Sequence, residues 1–114
     1  MEDCVFCRIL AGEIPGDFVH RGELVSAFRD IHPVAPTHIL IVPNKHIASN
    51  DEIEAQDEET LGRLFLTARD LAREEGIAES GYRLVLNTGP HGGQEVDHLH
   101  LHLIGGQKMK HPMG

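Results

Sequence analysis

The residues with the clearest chemical potential are the histidines of Asp97-His98-Leu99-His100-Leu101-His102-Leu103-Ile104, three imidazoles at alternate positions. In a strand, residues two apart point to one face, so the histidines form one row and the leucines line the other. A helix would scatter them. Three imidazoles on one face must be satisfied by hydrogen bonds, metal or ligand, while the leucines bury against a core. An imidazole is a nucleophile that needs no deprotonation at neutral pH, and a backbone carbonyl accepting from its other nitrogen would fix the reactive tautomer. A second histidine can give a proton to a phosphate oxygen or a leaving group. Just upstream, the amides of Gly92, Gly93 and Gln94 can approach a phosphate closely because glycine has no Cβ to obstruct it. Loop and row together predict a phosphoryl site in which anion cradle and nucleophile share one stretch of chain.

Cys4 and Cys7 are the second candidate group. Their spacing suits a metal or redox site better than a structural disulfide in a reducing compartment. A redox pair of this spacing opens a helix after a strand, and nothing before Cys4 could form that strand. A metal would require two further ligands.

The elements that must position these groups follow from the apolar pattern. Val5 to Ala11 reads as a short helix stopped at Gly12. Leu24 to Phe28 and His38 to Val42 read as strands, the second with no alternation across Ile39-Leu40-Ile41-Val42, which places it in the middle of a sheet covered on both faces. From about Asp57 the period becomes helical, with Leu61, Leu64, Phe65, Ala68, Leu71 and Ala72 in one stripe as far as Gly76. Tyr82 to Asn87 reads as a further strand, and a loop leads from it into Val96 to Ile104.

The chain has 114 residues, enough for one core, and residues 1–114 are read as a single domain. A formal charge of −8 disfavours a polymeric nucleic acid held by bulk charge. Six carboxylates fall between Asp51 and Glu59, read as a solvated helix start whose charge suits the helix dipole. No run approaches the roughly 20 apolar residues of a membrane helix, and the N-terminus lacks a signal layout, so the expectation is a cytoplasmic protein without a membrane partner.

The row His98-Leu99-His100-Leu101-His102-Leu103-Ile104 resembles the signature of the histidine triad (HIT) superfamily. Ala27-Phe28-Arg29-Asp30-Ile31, Ala35-Pro36-Thr37-His38-Ile39-Leu40, Tyr82 to Asn87, Gly92-Gly93-Gln94-Glu95-Val96 and Leu103-Ile104-Gly105-Gly106 extend the resemblance to its Hint branch over nearly the whole chain. The resemblance implies an α+β fold, a five-stranded antiparallel sheet with one long and one short helix, in a homodimer whose sheets join into ten strands. It implies hydrolysis of purine nucleoside phosphoramidates through a nucleotidyl-histidine, with His100 as nucleophile, His102 on the phosphate, and His98 and His38 in support. Asn87 and the backbone of Gly93, Gln94, Glu95 and Val96 would hold the phosphate. Asp30 would bind the ribose, and Phe6, Ile9, Phe28, Ile31 and Leu40 would wall the base. Plain core packing for the apolar residues and a turn cap for Asp30 are the competing readings.

The cysteine pair resembles the zinc-binding version of the family and of the related galactose-1-phosphate uridylyltransferases, which implies a structural zinc on Cys4, Cys7, His46 and His98. His20, His32, His91 and His111 receive no role. Three departures bear on the leaving group: Glu95 stands where eukaryotic Hint proteins have serine, Asp97 replaces a bulky residue, and a C-terminal tryptophan is absent, with His111 nearest its place. Two alternatives stay open, a nucleotide-binding interaction module that needs no turnover and a dinucleoside polyphosphate hydrolase as in the Fhit branch.

Overall fold

The computed structural model describes residues 3–113. Helix α1 (Val5–Leu10) is followed by strands β1 (Phe18–Arg21), β2 (Val25–Arg29) and β3 (Thr37–Pro43). Two 3-10 turns, Asn50–Glu52 and Ala55–Asp57, lead into helix α2 (Glu58–Glu74), and strands β4 (Tyr82–Leu86) and β5 (Leu101–Gly105) complete the α+β architecture. The five strands form one antiparallel sheet in the order β1-β2-β3-β5-β4.

The apolar run of β3 does take the central position, and all seven of its residues are buried. Its alternate side chains feed two cores. Ile39 and Ile41 join Val25, Ala27, Leu101 and Leu103 under α2, whose Leu64, Ala68, Leu71 and Ala72 close that face. Leu40 and Val42 join Phe28 on the other face, where Cys4, Phe6 and Ile9 of the N-terminal segment cover them. Each buried aliphatic or aromatic side chain contributes on the order of 1.5–3 kcal/mol by leaving water. α2 ends where Gly76 takes φ +74°, a conformation that costs a residue with a Cβ.

One strand had no individual sequence signal, and three local expectations are corrected. Phe18–Arg21 is a strand although its mixed, half-buried side chains show no clean alternation; β2 supplies the pairing instead. The final strand begins at Leu101 and not at Val96: the His98 amide closes a tight turn on the Val96 carbonyl (2.9 Å), and Leu99 donates to Ile47 (2.7 Å). The alternation nevertheless persists, since Leu99, Leu101 and Leu103 all enter the core beneath α2. Asp57 is no solvated helix residue; it is 4% exposed, accepts from Lys45 Nζ (2.8 Å) and the Glu54 amide (3.0 Å), and α2 starts after it. Phe65 lies off the buried arc of α2 and is 53% exposed.

At the far end of α2, Glu75 receives both Arg29 guanidinium nitrogens at 2.9 Å and Thr37 Oγ1 at 3.4 Å. This fork ties the helix terminus to the ends of β2 and β3, from which the site is built.

Candidate active site and metal cluster

Strands β3 and β5 bring their histidines to one face. Leu40 lies opposite His102 in the ladder, so His38, two residues earlier, is the diagonal neighbour of His102. His38 Nε2 and His102 Nδ1 are 2.9 Å apart and share one proton. His38 Nδ1 accepts from the Val34 backbone amide at 3.2 Å. Burial pushes the His102 imidazolium down to about 4, reinforced by His100 and His38, and burial also lowers His38 against the opposing pull of Asp30. Both rings are therefore neutral at pH 7. Among the described residues, His102 Nε2 is the buried side-chain polar atom without a partner.

His100 precedes β5 and donates from Nδ1 to the carbonyl of His98 at 2.7 Å. That bond assigns the proton to Nδ1 and leaves a lone pair on Nε2. Phe6 of α1 packs against the His100 ring edge to face, centroids 5.1 Å apart, and the His102 centroid lies 4.9 Å away.

These rings line a cavity of about 560 Å³. Phe6, Ile9, Phe28, Ile31, Leu40 and Val96 provide apolar wall, and Asp30, Glu95, His100 and His102 provide the polar part. Val5, Pro15, Gly16, Asp17 and Arg29 also line it; they carry no catalytic residue pattern of their own, though Arg29 sits inside the Phe-Arg-Asp motif. Asp30 does two things, capping the turn through Oδ1 to the His32 amide (2.8 Å) and holding Oδ2 3.5 Å from His38 Nε2.

Asn87, Gly93, Gln94, His38 and His98 do not line the cavity. The Gly93 and Gln94 amides are spent inside the loop on the Pro90 (3.2 Å) and Gly89 (3.1 Å) carbonyls. Gln94 locks the loop further, accepting from the Gly89 amide and donating to the Ala48 and Val96 carbonyls. Gly92 is required because a Cβ there would run into the Thr88 backbone. No hydrogen bond among the described residues uses the Glu95 and Val96 amides, so this pair is the part of the expected cradle that remains available.

A separate cluster joins Cys4, Cys7, His46 and His98, whose ligand atoms all lie within 4.8 Å of one another. His98 Nδ1 stands 3.3 Å from Cys4 Sγ and 3.5 Å from Cys7 Sγ, and His46 Nδ1 stands 3.4 Å from Cys7 Sγ. A tetrahedral zinc with ordinary bond lengths sets sulfur and nitrogen ligands about 3.5 Å apart, so the donor set fits the ion in type, number and spacing. His98 Nε2 donates to the Pro43 carbonyl (2.9 Å), which frees Nδ1 for a metal. Burial lowers the His98 imidazolium to about 4, and burial together with Cys4 raises the Cys7 thiol to about 11. A bound cation would reverse the thiol shift by stabilising the thiolate. His20, His32, His91 and His111 belong to neither group.

A HIT domain profile matches residues 11–109. The chain is 52% identical over 108 residues to the purine nucleoside phosphoramidase of Escherichia coli K12, covering 95% of this chain and 91% of that protein. Among solved structures, a HIT family hydrolase from Legionella pneumophila superposes with TM-score 0.94 at 50% identity, covering 98% of this chain and all of the other. A HIT family hydrolase from Clostridium thermocellum superposes at 0.95 with 43% identity, covering 99% and 98%.

Proposed function

The chain belongs to the HIT domain family, and on that premise we propose that it cleaves the P–N bond of purine nucleoside phosphoramidates through a nucleotidyl intermediate on His100. One observation carries the reading: in a cavity of about 560 Å³, the His100 ring, its Nδ1 committed to a carbonyl, lies 4.9 Å centroid to centroid from the His102 ring, whose Nε2 is buried and unpartnered.

The base lies against Phe6, Ile9, Phe28, Ile31 and Leu40, a wall that recognises ring area and favours a purine. The ribose hydroxyls meet Asp30, and the α-phosphate meets the Glu95 and Val96 amides and the His102 N–H, with Gly93, Gln94 and Asn87 shaping the loop behind them. His100 Nε2 attacks phosphorus as the P–N bond of the substrate breaks. The amine departs with a proton passed from solvent at the exposed Glu95 side. The proton of His100 stays on Nδ1, donated to the His98 carbonyl throughout, so the intermediate is an N-phosphoryl imidazolium whose charge that oxygen stabilises. Water then attacks phosphorus, loses its proton to solvent, and releases the nucleoside monophosphate and neutral His100.

Zinc on Cys4, Cys7, His46 and His98 would crosslink the N-terminal segment to the β3 end and to the stretch carrying His100. All four ligands come from the protein, so the site is structural in type and offers no open position for a reacting water. The free outer edge of β4 and the exposed Phe65, Leu66 and Leu86 support a homodimer formed strand to strand and helix to helix. No helix among the described residues is long and apolar enough to cross a membrane, and free Cys4 and Cys7 suit a cytoplasmic setting.

The test is single-turnover mixing with an AMP-amine phosphoramidate, an alkaline quench and peptide mass spectrometry. An adenylyl adduct on His100, absent from His100→Ala, is the expected result. Turnover of His100→Ala at the wild-type rate would overturn the assignment. AMP binding without any adduct would point to a binding module, and preferential cleavage of a diadenosine polyphosphate to the Fhit-like activity.

A further inference from the structure

The proton shared between His38 and His102 decides what the pocket receives. Were it on His102 Nδ1, His102 Nε2 would turn a lone pair toward the phosphate and repel it. With the proton on His38 Nε2, His102 carries its own proton on Nε2 and presents a donor. A backbone amide can only donate, so the contact from the Val34 amide requires His38 Nδ1 to be the lone pair and puts the His38 proton on Nε2. From there it faces His102 Nδ1 at 2.9 Å, with Asp30 Oδ2 as a second acceptor at 3.5 Å. We propose that the Val34 backbone amide is a positioning group that sets the direction of this proton chain, so that His102 meets a phosphate oxygen as a donor.

The catalytic consequence rests on the phosphoramidase reading; the tautomers do not. Val34 is 66% exposed, and its amide is the part that bonds to the site. The same bond disqualifies a second grouping of metal-ligating atoms, Asp30, His38 and His102. A metal on His38 Nε2 would drive the ring proton onto Nδ1, directly against the Val34 N–H.

The experiment reads the imidazole nitrogens of His38 and His102 by long-range proton–nitrogen NMR at pH 7 without substrate. Wild type is expected to show both rings protonated on Nε2; a wild-type His38 protonated on Nδ1 overturns the proposal at once. Val34→Ala keeps the amide and should leave both tautomers unchanged. Val34→Pro, or replacement of Val34 by its α-hydroxy analogue if the proline variant does not fold, removes the donor. Both rings should then show mixed tautomers, with kcat falling about tenfold and KM within about twofold. Wild-type tautomers in the donor-less variants would assign the direction to Asp30 instead and overturn the proposal, as would equal perturbation by Val34→Ala. A protein with the expected tautomers but no turnover of phosphoramidates would overturn the activity alone.

Discussion

The Cys/His cluster and the His38–His102–His100 group meet at His98, the cluster through its ring and the pocket group through its backbone carbonyl, and they use imidazoles in opposite ways. In the cluster, the Pro43 carbonyl accepts from the Nε2–H of His98, and the lone pair of His98 Nδ1 converges with the two thiols on one point. Around the pocket, donors and acceptors alternate from Val34 through His38 to His102. The first arrangement gathers electron pairs in a way that suits a cation. The second carries hydrogen-bond polarity toward the pocket in a way that suits an anion. Backbone groups several residues or whole strands away decide which of the two an imidazole does.

If the groups are as separate in task as this contrast implies, substitutions should divide into two kinds. His102→Asn should lower turnover about 10²- to 10⁴-fold with bound zinc and Tm nearly unchanged; loss of metal in that variant would merge the two groups. Cys4→Ser should do the reverse, releasing zinc and lowering Tm by about 10 °C or more, with a smaller kinetic effect. Elemental analysis and thermal unfolding of untagged protein measure both, and a Cys4→Ser variant with full zinc and an unchanged Tm would remove the metal from the account.

Phe6 touches both His98 and His100, with centroids 5.9 and 5.1 Å away, and so bridges the division. Phe6→Ala should cost about 3–5 kcal/mol in urea unfolding and also weaken AMP binding. A loss of binding without loss of stability would show Phe6 to be base wall alone.

Part of the effect of acid should pass through the pocket ring. The folded state holds His102 near 4 while the unfolded chain titrates at its ordinary value of 6.5. Between those values the unfolded chain binds the additional proton, so stability is full above about pH 6.5 and falls as pH drops toward 4. From pH 7 to 5 this ring should account for about 2 kcal/mol, and His102→Asn should lack that part of the slope in urea titrations at the two pH values. Glu95→Ala is the smallest change, within about 0.5 kcal/mol in stability because the side chain is exposed. Competing phosphoramidates of strongly and weakly basic amines should nonetheless change their rate ratio several-fold; an unchanged ratio would remove Glu95 from the leaving-group side.

Parity made the site readable. The alternation of His98, His100 and His102 with leucines survives even where the strand does not, because the leucines must reach the core beneath α2. The unbroken Ile39–Val42 run marked the central strand for the same reason. What stayed hidden depends on partners distant in sequence. Leu99 leaves the ladder for Ile47, Gln94 reaches Ala48, and Lys45 buries Asp57 in what reads as a solvated acidic run. The Gly93 and Gln94 amides looked like a phosphate cradle because composition shows glycine's freedom but not which carbonyls the loop will offer it. Val34 had no signal at all, since its contribution is a backbone proton that every residue except proline carries.

The order of the metal-cluster residues along the chain also has a temporal meaning. Cys4 lies 94 positions before its partner His98, and the thiols leave the ribosome long before the last ligand. A nascent chain therefore holds an incomplete chelate through most of its synthesis. Were a metal bound there, its ligand set would be complete only once His98, two residues ahead of the proposed nucleophile His100, has joined the fold, so metal capture and the ordering of that segment would coincide.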